Sequence, residues 1–428
     1  MVFLGYPFFV RLVNVFLRGS TLASKFLLLF SLAYFLEPEK VGLYGVFFAA
    51  VSYSIYLVGF EFYIYSTRDM IPKGQGEWGR IIKSHGAFSL VGGVVSLPFF
   101  LLLFYANILP FSFFAWFLLI LFFEYLGQEF NRLFVAASKQ LTASLILFLR
   151  SGLWSLTVVA LMLFFESLRN LEFVLGAWLA CGVATSLCSI LILKQMRLGG
   201  WKDKVDWKWI KRGVVVAAPF LLASLSVRGM FTFDRVLVEH LSSLSVVGAY
   251  ALFVGMANAL VSFLDSAVFV FLYPSLIRHF NDGDASLFKA CMSRMLFQTL
   301  VVVLLFSVVS VSLVGVVVNY LGKEVYLTYE YMYYYLLVAV ILFSIGTVFQ
   351  YGLYAQGKDK HIVISNVFSF FAFLGICFSL APYLNSLAVP VSLCCAFGIA
   401  LIWKAFVYIK YTPYGGILRL GSNKEEVK

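Results

Sequence analysis

Lys194–Arg212 reads KQMRLGGWKDKVDWKWIKR, seven cations with Trp201, Trp207 and Trp209 in one short polar stretch. Lysine and tryptophan together suit a segment at a membrane–water interface, with cations toward phosphate headgroups and indoles at the acyl boundary. Six long apolar runs precede it, near 19–36, 42–65, 86–106, 111–134, 144–165 and 172–193. Six more follow, near 213–237, 244–273, 295–320, 331–354, 362–383 and 387–409. A bilayer core about 30 Å thick takes about 20 apolar residues of helix, so each run predicts one span. The basic segment thus divides about twelve predicted helices six from six, and the chain reads as an all-α polytopic membrane protein.

Composition leads to the same class. Of 428 residues, 62% are hydrophobic and only 12% charged, with a mean hydropathy of +0.94. Soluble domains carry about 25% charged residues, so this surface could not be kept in water, and the same numbers exclude disorder. Connections between runs are short and leave no room for an extramembrane domain. Cys181, Cys188, Cys291, Cys377, Cys394 and Cys395 lie in or beside apolar runs without a metal-ligand spacing, so free thiols are expected. Arg11 and Arg18 precede the first long run, and no small-residue cleavage site follows, which suggests an uncleaved first helix.

The net charge of +11 would suggest nucleic acid in a soluble protein. Its placement reports topology instead, and no nucleic-acid partner is expected. With the amino terminus inside, 25 of the 32 Lys and Arg fall on cytoplasmic segments, while Lys40, Arg169 and Lys323 are the outside cations. Both termini are therefore expected in the cytoplasm. The halves also echo each other. Val41-Gly42-Leu43-Tyr44 opens the second run and Val247-Gly248-Ala249-Tyr250 the eighth, an offset of 206 residues. A same-direction repeat of six helices predicts two lobes related by an axis along the membrane normal. The expected lobes are 1–210, ending in a basic linker at about 194–210, and 211–428, ending in a short tail.

A charge in the bilayer costs from about 3 to more than 10 kcal/mol, so retained intramembrane charges mark a polar cavity or internal pairs. Lys25, Arg150, Arg228 and Arg235 are candidates to line a cavity and hold an anionic group, Arg as a bidentate donor and Lys as a point charge. Under the 206-residue offset Arg228 falls one turn from Lys25. Arg228 and Arg235, seven apart, share a helix face. The alternative for Arg228 is a closing pair with Asp234 or Asp265, and Arg150 either snorkels or faces the cavity. Glu124 forms a stripe with Gln128, Asn131 and Arg132, and Glu124 and Asp265 are candidate coupling sites for a proton or cation. Glu129 and Arg132 read as a structural i,i+3 pair. Glu61 and Arg68, i and i+7, read either as a gate or as ordinary end pairing.

Catalytic signatures are missing. His85, His240, His279 and His361 lie near loops without ligand spacing, and no Walker A, dinucleotide or G-x-S-x-G motif occurs. Neither a cofactor nor an enzymatic activity is expected.

Several of these stretches resemble a known family. Lys25–Tyr44 reads KFLLLFSLAYFLEPEKVGLY, and Gly59-Phe60-Glu61-Phe62-Tyr63 is followed by Ser66-Thr67-Arg68. Arg150–Trp154 reads RSGLW, and Gln350–Lys360 reads QYGLYAQGKDK. Together they look like the Wzx-type polysaccharide biosynthesis proteins, the O-antigen and capsule repeat-unit flippases. The resemblance implies membership of the multidrug/oligosaccharidyl-lipid/polysaccharide exporter superfamily, with two six-helix lobes around a central cavity and alternating access. The implied substrate is an undecaprenyl-pyrophosphate-linked oligosaccharide, moved from the cytoplasmic to the periplasmic leaflet of a bacterial cytoplasmic (inner) membrane. Implied partners are the bilayer, a polysaccharide polymerase and a chain-length regulator. The alternatives are a cationic-drug antiporter of the same superfamily and a polymerase or ligase of polysaccharide assembly. The excess of intramembrane cations favours the first reading over the antiporter.

Overall fold

The computed structural model describes residues 5–412; the tail expected on the cytoplasmic side lies outside them. The described residues are helical throughout, with short turns between helices. The N-terminal helices are α1 (Gly5–Phe35), α2 (Pro38–Gly59), the short α3 (Tyr63–Met70), α4 (Gln75–Tyr105) and α5 (Phe114–Ala136). Next come α6 (Gln140–Phe148), a π turn (Leu149–Leu153), α7 (Trp154–Phe164), α8 (Leu171–Gln195) and α9 (Trp207–Leu241). Then follow α10 (Leu244–Leu264), a second π turn (Asp265–Phe269), α11 (Val270–Asn281), α12 (Ala285–Leu321) and the short α13 (Glu324–Thr328). The chain continues through α14 (Tyr331–Ala355), α15 (Asp359–Leu384) and α16 (Ala388–Tyr411).

Each expected span has its helix. Among the described residues, eleven continuous helical stretches are long and apolar enough to cross a membrane. One of them, Asp359–Tyr411, holds two spans, because Asn385 at φ +48° breaks it between α15 and α16. At about 1.5 Å per residue the whole stretch would run more than twice the bilayer core, so the break is a geometric necessity. Helices α1, α9 and α12 are longer than their apolar runs and extend past the hydrocarbon at one end.

Helix ends follow local chemistry. Pro38 begins α2, where its missing N–H costs nothing. Asn170, Asp206 and Asp284 accept from the amides of Phe173, Trp209 and Leu287 and cap α8, α9 and α12. Hydrogen bonds from the Leu287 amide and the Ser286 hydroxyl hold the Asp284 carboxyl below its ordinary range.

Contacts divide the chain into two compact units between Leu252 and Phe253. In the first, α2 packs on α4, α5 and α9, α5 packs on α6 and α8, and α1 covers α6, α7 and the first π turn. Helix α9 and the first turns of α10 belong to this unit, because Gly42 and Gly248 let α2 and α10 touch backbone to backbone. In the second, α14 and α15 both pack on α16, and α12 packs on α11 and α14.

Candidate functional site

Glu124 on α5 is buried and held from two directions. The Trp178 indole on α8 donates to its Oε1 at 2.6 Å, and Arg150 Nε lies 3.5 Å from its Oε2. Lys25 on α1 is within electrostatic reach of both Arg150 and Glu124. The Lys25 side chain is exposed on α1. Beneath the cluster Trp178 stacks flat on Trp154, with centroids 5.5 Å apart and planes at 5°. Tyr44, Phe47 and Phe48 of α2 pack around it.

Two glycines and the π turn make this arrangement possible. A Cβ on Gly127, one turn beyond Glu124, would lie 2.7 Å from Arg150 Cδ, so a larger residue there would push the arginine away from α5. Gly152, within the π turn, lets α1 approach: a Cβ there would meet the Phe148 ring at 2.7 Å and Thr21 Cα at 3.3 Å. Thr21 is one turn before Lys25, so that contact places the lysine. The π turn widens the helix by one residue, a device common at functional sites.

The electrostatics are unbalanced. Glu124 and Arg150 form a largely buried pair, and the exposed Lys25 is a second cation within electrostatic reach of it; an uncompensated charge at membrane depth is expensive. Arg150 Nε and Nη1 and the hydroxyl of Thr185, whose methyl lies near Gly127, have no hydrogen-bond partner among the described residues. The cluster can therefore accept an anionic group by hydrogen bonds and by charge.

A second ionic group sits toward the basic loops. Arg132 pairs with Glu129 at 2.6 Å, as the i,i+3 spacing predicts, and lies 3.9 Å from Glu61 and 3.6 Å over the Tyr63 ring. Glu61 accepts from Ser224 at 2.5 Å. His85 Nδ1 is 3.2 Å from the Ser66 hydroxyl, and its Nε2 is 3.7 Å from Glu129. The Glu61–Arg68 pairing is corrected: α2 stops at Gly59, and Phe60 and Glu61 turn left-handed (φ +53° and +54°). That turn destroys the i,i+7 register, and Arg68 lies instead over Phe220 at 5.9 Å.

The four candidate cations are not gathered in one place. Arg150 pairs with Glu124, and Lys25 lies within electrostatic reach of both. Arg228 is exposed, 5.2 Å over the Tyr56 ring and within electrostatic reach of Glu61. Arg235 is buried beside Asp234, with Nη1 to Oδ1 at 3.5 Å, and it donates to the Phe231 carbonyl. Asp234 also accepts from the Arg235 amide at 2.7 Å and the Tyr250 hydroxyl at 3.1 Å, so its partner is Arg235 and not Arg228. Seven residues share a face but lie about 10 Å apart along the axis, so the two arginines meet different turns of α2. The Glu124–Arg132 stripe is likewise split, with Asn131 bonded to the Ala143 carbonyl at 2.6 Å. Asp265 lies in the second π turn, in the other unit, near Tyr351.

Trp178, Trp154 and Gly127 escaped the sequence reading, which weighed charges alone. So did Lys404, which was not among the candidate intramembrane charges. It is buried on α16 and donates to Gln350 Oε1 at 2.8 Å.

No protein-family model matches the chain, and no curated protein matches it. Solved structures do. A mutant of the Vibrio cholerae MATE transporter VcmN superposes with a TM-score of 0.60 at 14% identity, over 94% of this chain and 95% of that one. A MATE protein in the bent conformation gives 0.58 at 15% identity, over 93% and 94%. An outward-facing multidrug resistance MATE family transporter of the MOP superfamily gives 0.54 at 15% identity, over 93% and 95%. At these identities the likeness is one of fold, and it extends over nearly the full length of both chains: this is a polytopic membrane protein with the fold of the MATE transporters of the MOP superfamily.

Proposed function

We propose that the chain is a transporter that flips undecaprenyl-pyrophosphate-linked oligosaccharide repeat units from the cytoplasmic to the periplasmic leaflet of a bacterial inner membrane. The observation that carries this reading is the Lys25–Glu124–Arg150 cluster, in which Arg150 Nε pairs with Glu124, Arg150 Nη1 has no partner among the described residues, and Lys25 is a second cation within electrostatic reach. A pyrophosphate supplies the missing acceptors, and Arg holds such oxygens in pairs. Arg228, exposed beside Tyr56, offers a further cation along α9. Glu124, bonded to both Trp178 and Arg150, is the group that would couple transport to a proton or sodium gradient, with Asp265 as the second candidate. A polysaccharide polymerase and a chain-length regulator are the proposed partners.

One of the similar structures is a multidrug resistance transporter, which keeps cationic-drug export as the competing reading. The test follows radiolabelled lipid-linked repeat units in inverted and right-side-out membranes of a deletion strain. Units confined to the cytoplasmic leaflet support the flippase. Normal periplasmic delivery together with drug sensitivity overturns it.

A further inference from the structure

The basic segment between α8 and α9 is a built strap and not a slack tether. The Gly79 amide donates to the Gly199 carbonyl at 2.8 Å, and the Gly199 amide donates to the Gln75 carbonyl at 3.0 Å. The strap therefore lies backbone to backbone on the first turn of α4. Glycine permits this approach from both sides. A Cβ on Gly79 would lie 2.4 Å from the Gly199 carbonyl oxygen, and one on Gly199 would lie 2.5 Å from that of Gly76. Further along, Lys83 Nζ donates to the Asp203 carbonyl at 2.9 Å, and the Asp206 amide donates to Ser84 Oγ at 3.1 Å.

The strap sorts its side chains. Trp209 turns inward, donates to Asp69 Oδ2 at 2.9 Å and meets the Phe62 ring edge-on at 5.3 Å. Trp201 and Trp207 are exposed, and so are all seven cations of Lys194–Arg212. None of the seven forms an ion pair among the described residues. Of the segment's two carboxylates Asp206 caps α9, which leaves Asp203 against seven cations. The nearby Asp69 and Glu77 are taken by Lys73 and Arg80.

Helical register sets the depth of this charge. On α9, Trp207, Lys211 and Val215 follow at i, i+4 and i+8, with Lys208, Arg212 and Val216 beside them, and all six are exposed. Exposed valines on a membrane-spanning helix face hydrocarbon, so Lys211 and Arg212 stand about 6 Å above it at 1.5 Å per residue. Trp207, one turn further out, stands among the headgroups. On α8 the exposed Leu187 and Leu191 lead to Lys194 on the same side. Both ends of the strap thus leave the lipid-facing sides of their helices. That placement turns its charge toward lipid phosphates and away from a soluble partner.

We propose that the strap is a binding site for anionic phospholipids of the cytoplasmic leaflet, its cations on the phosphates and Trp207 among the headgroups. This goes beyond the transport reading and does not depend on it.

The test titrates the full chain, in neutral detergent, with phosphatidylglycerol or phosphatidylcholine and reads the first bound lipid by native mass spectrometry. Wild type should take phosphatidylglycerol about tenfold more tightly than phosphatidylcholine. A triple variant, Lys202→Gln with Lys208→Gln and Lys211→Gln, should lose that preference. A control triple, Lys139→Gln with Lys360→Gln and Lys410→Gln, removes the same charge from exposed positions expected on the same side and should keep it. All six side chains are exposed, and matched melting points confirm the fold. A preference kept by the strap variant, or lost equally in both, overturns the proposal. So does tighter binding of polyglutamate than of phosphatidylglycerol. No transport is measured, so the outcome does not turn on what the chain carries.

Discussion

Gly42 and Gly248 face each other across a local two-fold relationship. A Cβ on Gly42 would lie 2.1 Å from the Leu244 carbonyl oxygen, and one on Gly248 would lie 2.1 Å from the Pro38 carbonyl oxygen. Both glycines and both carbonyls are 206 residues apart. So are Glu39 and Ser245, which hydrogen bond at 3.3 Å, and Gly45 and Ala251, where a Cβ on the glycine would meet the alanine Cβ at 2.9 Å. Equivalent residues therefore touch equivalent residues, the signature of an isologous contact. The offset seen in Val41–Tyr44 and Val247–Tyr250 is a physical repeat at this contact.

Gly42→Ala and Gly248→Ala should each cost about 1–3 kcal/mol, the usual range for overpacking, and more if the backbones cannot part. The double variant should cost less than the sum, because one separation of α2 from α10 relieves both clashes. Gly19→Ala on α1, where a Cβ meets nothing, serves as the neutral control. Thermal melting of detergent-solubilised protein measures all four.

Glu124→Ala leaves Arg150 and Lys25 without their anion and Trp178 without its acceptor. Breaking a buried pair costs about 3–5 kcal/mol, and melting should show it. Adding Arg150→Met should recover a large part of that loss, since the double variant no longer buries an unpaired guanidinium.

Trp178→Phe retains most of the ring contact with Trp154 and removes only the N–H donor. The expected cost is about 1.5–3 kcal/mol, the range for a hydrogen bond to a charged group. A loss near zero would mean that the 2.6 Å bond does not hold the carboxylate in place.

Arg132→Ala should destabilise the chain strongly, because two carboxylates and the Tyr63 face depend on it. Arg68→Ala should change the melting point little, since an exposed cation over a ring contributes about 0.5–1 kcal/mol. Equal losses from the two would restore the Glu61–Arg68 pair.

The spans were legible because each apolar run has the length of the bilayer and each break but one carries charge or proline; the last, Leu384–Ser386, rests on Asn385. The Glu129–Arg132 pair was legible too, because an i,i+3 contact needs only a helix. Glu61 was misread because the left-handed turn falls on Phe60 and Glu61, where no glycine announces it. The π turn at Arg150 has no composition of its own, so nothing in Arg150–Trp154 told snorkelling from inward placement. Lys404 lies inside its apolar run, and its partner Gln350 is 54 residues away on another helix, so no local spacing joined them. Arg228 and Arg235 shared a face as expected, but facing says nothing about which turn of a neighbouring helix is met.

The central claim is that the cationic cluster serves translocation of a lipid-linked anion. It is tested most directly by the leaflet position of radiolabelled repeat units in a deletion strain carrying wild type, Lys25→Ala or the control Arg68→Ala. Lys25 is exposed, so its truncation leaves a folded chain whose level and melting point are checked in parallel. The account predicts that wild type and Arg68→Ala restore periplasmic delivery, while Lys25→Ala leaves the units on the cytoplasmic leaflet. Full delivery by a stable Lys25→Ala protein would contradict it.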